Sequence, residues 1–248
     1  TGNRAEYGLQ LPIIKLLQKN KKFETYIITA GSHLDPKYGK TINEFKKDKI
    51  KSDFQIKFKY KSQITYTPEK VALIISKMTK ILSNIKPHLY LCYADRFETF
   101  GAAVAASLMN IPIAHVEGGD VTFGGTHDDN LRHAISKISH IHFTSNLNSK
   151  KRLILMGEEK WRVHNVGFSG LDLIKQKKYA NKAELIKKFN LNNKLNNIIF
   201  TYHPLTLEFK KNIQNLKPCI DALLSLNKNY NIIITFPNND LGNSEIIK

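Results

Sequence analysis

Short apolar segments alternate with longer segments of helical periodicity along this chain. Near the middle, residues 89–94, 111–115 and 140–144 are predicted strands, each short and apolar as in a strand buried on both faces. Residues 97–109 carry four alanines, which suit a helix packed closely on a sheet. This alternation of strands and helices predicts an α/β protein with parallel sheets.

The same alternation extends toward the start of the chain. The helix nearest the start contains Pro12, which is tolerated only near a helix's first turn. The predicted elements of this part are a helix at 9–18, a strand at 24–30, a turn at 31–35, a helix at 38–48, an edge strand at 53–60 and a long helix at 68–85.

Beyond the middle the pattern restarts after a segment rich in Lys and Asn at 175–194. Before that segment we predict a helix capped by Ser145 or Asn146 and ending at Met156, and a strand at 162–166. After it we predict strands at 197–202 and 231–236 and a helical segment at 207–227 interrupted near Pro218. We therefore predict two parallel-sheet domains, at 1–175 and 176–248.

Acidic residues follow the ends of two neighbouring central strands. Asp95 comes directly after the first, and Glu117 follows the second within two residues. Ligands of an open parallel sheet bind outside the carboxyl ends of its strands, so both carboxylates are expected at one edge. Each carboxylate alone is equally well explained as the cap of a following helix.

A third acidic cluster favours an active site over two separate caps. Asp128 lies near the start of the next predicted helix, and Arg96, His115 and Arg132 are interleaved with the carboxylates. Arg4 is expected near the first turn of a helix, where backbone N–H groups favour an anion, although a solvated surface arginine is the favoured interpretation of this residue taken alone.

Composition sets limits on the function. Lysine and arginine exceed aspartate and glutamate by 38 − 21 = 17, but the basic residues are scattered, and no nucleic-acid motif accompanies them. A basic cleft for an anionic small molecule is equally compatible with this charge. Cys92 and Cys219 lie in apolar segments without metal-ligand spacing, which fits the cytoplasm. No apolar run reaches the length of a membrane span.

Three histidines outside these acidic clusters are further candidates. His140 and His142 share one face of a predicted strand, and such a pair binds a metal only with further ligands, so packed histidines are the favoured interpretation. His33 follows an earlier strand as a candidate polar contact. The G-x-G-x-x-G fingerprint of nicotinamide enzymes is absent from the segment that opens the chain.

Six motifs together resemble the UDP-N-acetylglucosamine 2-epimerase family, and its hydrolysing branch in sialic-acid synthesis most of all. They run in order through the whole chain. The motifs are TGNRAEYG at 1–8, ADRFE at 94–98, HVEGGD at 115–120, DDNLRHAISKISHIHF at 128–143, TYHPLT at 201–206 and FPNND at 236–240.

The resemblance implies a glycosyltransferase-B architecture, in which two Rossmann-like domains with parallel sheets bind a nucleotide sugar between them. It also implies a strand before Thr1 and an incomplete second domain in this chain. The implied chemistry needs no metal or other cofactor. A base removes the C2 proton, UDP leaves by anti elimination to give 2-acetamidoglucal, and water addition releases N-acetylmannosamine.

The motif matches also imply roles for individual residues. The implied catalytic carboxylates are Asp95, Glu117 and Asp128, with the base unassigned among them, and His115 and Arg132 support them. The implied contacts to substrate or nucleotide are Arg4, Ala5, Arg96, His203 and Asn238. The implied partners are a UDP-sugar and further copies of the chain in a homodimer or homotetramer, without nucleic acid or membrane.

The sequence leaves alternatives open. Glu117-Gly118-Gly119 and Asp128-Asp129 favour the hydrolysing branch over the reversible, non-hydrolysing one. The same pattern resembles relatives that accept a diacetamido-trideoxy sugar on UDP or GDP for legionaminic acid synthesis. Two further hypotheses remain. One is a glycosyltransferase on the same architecture, and the other is a noncatalytic protein that binds a nucleotide sugar or nucleic acid.

Overall fold

The computed structural model describes residues 1–36, 39–58, 67–122, 127–177, 179–204, 211–237 and 242–247. The chain divides into two compact units, Thr1–Lys177 and Lys178–Lys248.

The first unit alternates helices and parallel strands. Its described helices are α1 (Arg4–Lys19), α2 (Ile42–Lys47), α3 (Thr67–Ile85), α4 (Phe97–Leu108), α5 (His127–Lys137), α6 (Leu147–Leu155) and α7 (Gly170–Lys175). Its described strands are β1 (Ile28–Ala30), β2 (Phe54–Ile56), β3 (Tyr90–Tyr93), β4 (Ile113–Val116), β5 (Ile141–Thr144) and β6 (Val163–Asn165). The predicted α/β class with parallel sheets is thereby confirmed.

The central sheet has the strand order β3-β4-β5-β6, and all its pairs are parallel. Its register sets Tyr93 beside Val116 and Val116 beside Phe143. A separate parallel pair joins β1 to β2. Thr1 also pairs with β1, because its N-terminal amine donates to the Ile28 carbonyl at 2.9 Å and its own carbonyl accepts from the Ala30 N–H at 3.0 Å.

The main core lies where α3 and α4 pack on the sheet. The buried stripe of α3 is Ile74, Met78 and Leu82, each 1% exposed, which is the helical spacing that the sequence predicted. The alanines of α4 let it approach closely, and four of them are buried. At Gly101 of α4 an added Cβ would lie 3.1 Å from Ile74 Cγ2, so even a methyl group is tightly limited there.

Helix α1 corrects the predicted helix at 9–18. It begins at Arg4 because the side chain of Asn3 accepts from the Glu6 N–H at 2.9 Å, an N-cap five residues earlier than expected. Pro12 therefore lies inside the helix and removes one backbone donor. Burial of the flanking Tyr7 and Leu11 offsets that loss, since tertiary packing supplies most helical stability.

A predicted strand and a predicted helix are shorter in the structure than expected. The predicted strand at 24–30 is regular only in its last three residues, and the helix at 38–48 is regular only at 42–47. Residues 38, 59–60 and 207–210, at the ends of predicted elements, lie outside the described residues. Asn146 is confirmed as the cap of α6, since its side chain accepts from the Ser149 N–H.

The second unit repeats the parallel pattern with β7 (Asn196–Phe200) beside β8 (Tyr230–Ile234). Its described helices are α8 (Lys182–Phe189), α9 (Asn212–Leu226) and α10 (Asn243–Ile247). Two predictions are corrected here. The segment at 175–194 contains α8, which begins with a capping box between Asn181 and Glu184. Helix α9 also continues through Pro218, with Leu216 and Leu223 buried on one side of it.

Among the described residues, no helix combines the length and apolar character needed to cross a bilayer.

A buried carboxylate joins the segments around β5 and β6. The Glu158 side chain accepts from Lys137 Nζ at 2.6 Å and pairs with Arg162 at 2.7 Å and His142 Nε2 at 3.1 Å. Burial acts to raise the pKa of Glu158, but the hydrogen bond from Lys137 and the surrounding positive charges outweigh it and lower the pKa. Burial lowers the pKa of His142. This network confirms the packed interpretation of His142.

We predict that Glu158→Gln lowers the free energy of unfolding by about 2 kcal/mol at pH 7, because it weakens hydrogen bonds to charged groups. Urea unfolding followed through Trp161, the single tryptophan, measures this loss. Glu159→Gln is the matched control, since Glu159 is 65% exposed and makes a surface pair worth under about 0.5 kcal/mol.

The same variant should show a smaller loss in acid. Because the pKa of Glu158 is lower in the folded state than in the unfolded state, where it is about 4.3, its carboxylate stabilises the fold at higher pH. This contribution disappears as the pH falls through the pKa of the folded state. An equal loss at pH 7 and pH 3 would contradict the role given to the Glu158 charge.

Candidate active site

Both central strands end in the same backbone conformation. Ala94 after β3 has φ +54° and Glu117 after β4 has φ +62°, in the left-handed region that non-glycine residues rarely adopt. Each is held to the next strand, because Ala94 N donates to the Val116 carbonyl and Glu117 N to the Phe143 carbonyl, both at 2.9 Å. The carboxylates that follow or belong to these turns therefore lie at one sheet edge, as predicted.

Asp95 forms an ion pair with Arg132 of α5. Asp95 is not the N-cap of the following helix, because Arg96 occupies that position in α4, without a capping hydrogen bond from its side chain. Arg132 is 13% exposed and a second carboxylate, Asp120, lies 4.0 Å from its Nη1 atom. Burial lowers the pKa of Arg132, yet the ion pair requires a charged guanidinium and an ionised Asp95.

His115 fixes the turn that carries Asp95. The ring is fully buried, with Nε2 2.8 Å from the Ala94 carbonyl and Nδ1 3.0 Å from Ser136 Oγ. Burial lowers the pKa of His115 to about 4, so the ring is neutral at pH 7. A neutral ring that donates from Nε2 can only accept at Nδ1, so the single Ser136 hydroxyl proton is shared between Nδ1 and the Arg132 carbonyl, which also lies 3.0 Å from Ser136 Oγ. His115 thus contacts protein on both sides and acts through the position of Asp95.

The two glycines after Glu117 are required by close packing. A Cβ on Gly118 would lie 2.9 Å from both His115 Nδ1 and Ser136 Oγ. Gly119 has φ +83°, and its Cβ would lie 2.5 Å from the Ser149 carbonyl. Larger residues at either position would displace the His115–Ser136 contact or the start of α6.

Asp120 anchors the end of this loop. Its carboxylate accepts from Ser145 Oγ at 2.8 Å, from Asn146 Nδ2 at 3.1 Å and from Ser149 Oγ. These donors surround the start of α6, so Asp120 holds the loop after β4 to the loop after β5.

Glu117 lies in a different environment from Asp95. The Tyr93 hydroxyl donates to its carboxylate and also lies 3.3 Å from Ser169 Oγ. Burial raises the pKa of Glu117, outweighing the hydrogen bond from Tyr93, which lowers it, and the negative charges of Asp120 and Glu6 act in the same direction as burial. The edge therefore carries one ion-paired carboxylate and one with a raised proton affinity.

Two more buried carboxylates connect the starts of α1 and α4. Glu6 accepts from Gly2 N at 2.6 Å and from the Thr99 hydroxyl at 3.1 Å. Glu98 lies 3.4 Å from Arg96 Nε, and burial raises the pKa of Glu98. The Thr99 hydroxyl also contacts the Tyr93 carbonyl at 3.3 Å, which ties the start of α4 to the end of β3.

The predicted site residues fall into three groups. Asp95, Glu117, His115 and Arg132 are brought together through the contacts above. Asp128 is exposed in the first turn of α5, one turn before Arg132, while its neighbour Asp129 accepts twice from Thr122 N at 3.0 Å.

The predicted ligand contacts are more dispersed. Arg4 and Ala5 are exposed in the first turn of α1, as predicted for Arg4, and Arg96 precedes α4 with its guanidinium 5.5 Å from the Phe97 ring centroid. His203 is exposed after β7 in the second unit. Asn238 lies outside the described residues.

His33 and His140, the other histidines singled out from the sequence, have structural partners. His33 is fully buried, with Nδ1 2.9 Å from Thr41 Oγ1 and an edge-on contact with Phe45. His140 accepts from the Ile113 N–H at 3.2 Å. Across the described ranges, no three His, Cys, Asp or Glu residues are grouped as a metal site.

Four contributors to the site were missed from sequence, namely Tyr93, Asp120, Ser136 and Ser169. Tyr93 and Asp120 stand within the acidic turns, so their position was a usable signal. Ser136 and Ser169 are remote in sequence from the carboxylates, and only the packing of α5 and α7 brings them near.

A family model and two curated relatives all match this chain to one family. The family model described as UDP-N-acetylglucosamine 2-epimerase matches residues 15–248. The GDP/UDP-N,N'-diacetylbacillosamine 2-epimerase (hydrolyzing) of Campylobacter jejuni is 34% identical over 97% of this chain and 62% of its own length. The UDP-N-acetylglucosamine 2-epimerase of Neisseria meningitidis serogroup B is 30% identical over 100% of this chain and 64% of its own length. The chain thus spans less than two thirds of these relatives.

A solved structure has the same fold. The crystal structure of the Neisseria meningitidis UDP-GlcNAc 2-epimerase bound to UDP-GlcNAc matches 99% of this chain and 67% of its own chain, with a TM-score of 0.85 at 23% identity.

We predict that His115 remains neutral from pH 8 down to about pH 5, with its proton on Nε2. Long-range proton–nitrogen NMR of the 15N-labelled protein distinguishes the tautomers and the imidazolium. The spectrum of His115→Gln assigns the signal. An imidazolium signal for His115 at pH 6 would contradict the buried arrangement.

Proposed function

Because this chain belongs to the UDP-N-acetylglucosamine 2-epimerase family, we propose that it supplies the catalytic carboxylates of a hydrolysing 2-epimerase. Its substrate is a 2-acetamido sugar linked to UDP. Its products are UDP and the free sugar inverted at C2.

The observation that supports this proposal is the contrast between two carboxylates at one sheet edge. Asp95 is ion-paired to Arg132, and Glu117 lies buried against the Tyr93 hydroxyl with a raised pKa. Neighbouring groups with separated proton affinities are what acid and base roles require. Inversion at C2 needs both roles, since a proton must leave one face and another must arrive at the opposite face.

In the proposed reaction Asp95 accepts the C2 proton while the C1–O bond to UDP breaks, which gives 2-acetamidoglucal. Positive charge that develops at C1 acidifies the C2 proton, so an ion-paired carboxylate is a sufficient base. Water then adds its oxygen at C1, and Glu117 delivers a proton to C2 on the opposite face. The water proton returns to the carboxylates, and Asp128 is proposed to orient that water.

The leaving diphosphate needs positive partners. Helices α1 and α4 both begin at this region of the first unit, tied together through Glu6 and Thr99. Helix N-termini bind anions through free N–H groups, and Arg4 and Arg96 stand at these two starts. We propose these arginines as diphosphate contacts. Ala5, His203 and Asn238 remain proposed contacts to the rest of the nucleotide sugar.

Two sugars are candidates. UDP-N-acetylglucosamine is the substrate that the motifs favour, and the Neisseria relative at 30% identity is named for it. N,N'-diacetylbacillosamine is the second candidate, because the Campylobacter relative named for it has 34% identity. We further propose a cytoplasmic homodimer or homotetramer.

The deciding experiment incubates the full-length protein separately with each UDP-sugar and identifies the products by NMR. Free sugar with an equal amount of UDP supports the hydrolysing reaction and names the substrate. A UDP-linked C2 epimer would assign the protein to reversible epimerisation, and transfer of the sugar to an added acceptor would assign it to glycosyl transfer.

We predict that Asp95→Asn and Glu117→Gln each lower kcat by at least about 100-fold, the contribution typical of a general acid or base. Asp172→Asn is the matched control, since Asp172 is an exposed residue of α7 and its variant should retain wild-type turnover. Full activity of Asp95→Asn would remove Asp95 from the reaction.

A further inference from the structure

A line of oxygen atoms runs from the Glu117 carboxylate into the protein. The Tyr93 hydroxyl contacts Glu117, Ser169 Oγ lies 3.3 Å from the Tyr93 hydroxyl, and Ser169 Oγ lies 2.8 Å from the Leu9 carbonyl. Tyr93 is 2% exposed and Ser169 is half-buried. The line joins the end of β3 to the turn before α7 and to helix α1.

The number of protons decides which form of Glu117 completes this line. It contains three contacts, each of which needs one proton, and it ends at a carbonyl that only accepts. The two hydroxyls supply two protons. With ionised Glu117, the Tyr93 hydroxyl donates to the carboxylate and the Ser169 hydroxyl to Leu9, so the contact between Tyr93 and Ser169 lacks a proton. With protonated Glu117, every contact is satisfied, because Glu117 donates to Tyr93, Tyr93 to Ser169 and Ser169 to Leu9.

We propose that Ser169 is a positioning residue that favours a proton on Glu117 in the resting site, because it accepts the Tyr93 hydroxyl proton that an ionised Glu117 would need. This inference rests on the proposed function for its catalytic meaning, while the proton count stands on the contacts alone. Glu117 then starts each reaction cycle as the acid that delivers a proton to C2.

The surroundings of Glu117 act in the same direction. Within the described part of the chain, the Tyr93 hydroxyl is the one donor that contacts its carboxylate. Burial raises the pKa of Glu117, the hydrogen bond from Tyr93 acts against it, and the negative charges of Asp120 in its own loop and Glu6 of α1 add to the rise. Arg132, the nearby cation, is already paired with Asp95.

We predict that removing either hydroxyl shifts the pKa of Glu117, and that the two shifts have opposite signs. Ser169→Ala leaves Tyr93 with Glu117 as its sole acceptor in the line, so the ionised form gains relative stability and the pKa of Glu117 should fall. Tyr93→Phe removes the donor to the carboxylate, and a charged acceptor loses more than a neutral one, so the pKa should rise. Each midpoint should move by about half a pH unit or more.

The test is a 13C NMR titration of the Glu117 carboxyl carbon in the full-length protein labelled at glutamate, without substrate. The spectrum of Glu117→Gln assigns the signal. Tyr7→Phe is the matched control, because it deletes another phenol that donates to a carboxylate, Asp48 at 2.9 Å, and should leave the Glu117 midpoint unchanged.

A lower midpoint in Ser169→Ala supports the proposal, and an unchanged or higher one overturns it even if Tyr93→Phe does not fold. Because no turnover is needed, this result is separate from the product experiment. If the protein turns over substrate, the limb of the kcat/KM pH profile that belongs to Glu117 should move in the same direction in each variant.

Discussion

Parallel pairing of β3 with β4, in the register that sets Tyr93 beside Val116, determines where the chemistry can occur. The backbone of Ala94 remains bonded to β4 and that of Glu117 to β5, which holds both residues in the left-handed region. Such conformations persist only where the surroundings determine them fully. His115 supplies that constraint for the turn before Asp95, because its buried ring is hydrogen-bonded to the Ala94 carbonyl on one side and to Ser136 on the other.

Asp95 and Glu117 share this backbone geometry, but their side chains have different partners. Helix α5 brings Arg132 to Asp95, whereas β3 and the turn before α7 bring two neutral hydroxyls toward Glu117. A guanidinium favours the ionised carboxylate, and burial with neutral partners favours the protonated one. The fold therefore places two similar side chains among partners that favour opposite protonation states, and the proposed acid and base roles follow from that difference.

The sequence predicted the elements that depend on local pattern. The apolar strands, the alanine-rich α4 and the stripe of α3 were found because burial imposes a period on them, and the acidic turns were found because they follow those strands. Pro12 and Pro218 were misjudged because tertiary packing keeps α1 and α9 helical through a residue that local propensity disfavours. Ser169 was missed because its nearness to Tyr93 spans 76 residues of chain.

The most direct test of this account is the isotope content of C2 after turnover by the full-length protein in heavy water. If Asp95 removes the C2 proton and Glu117 delivers another from the opposite face, every product molecule carries one deuterium at C2, because the Glu117 proton exchanges with solvent between cycles. Proton NMR or mass spectrometry of the released sugar measures this. Product that retains the original C2 proton would contradict the roles given to both carboxylates.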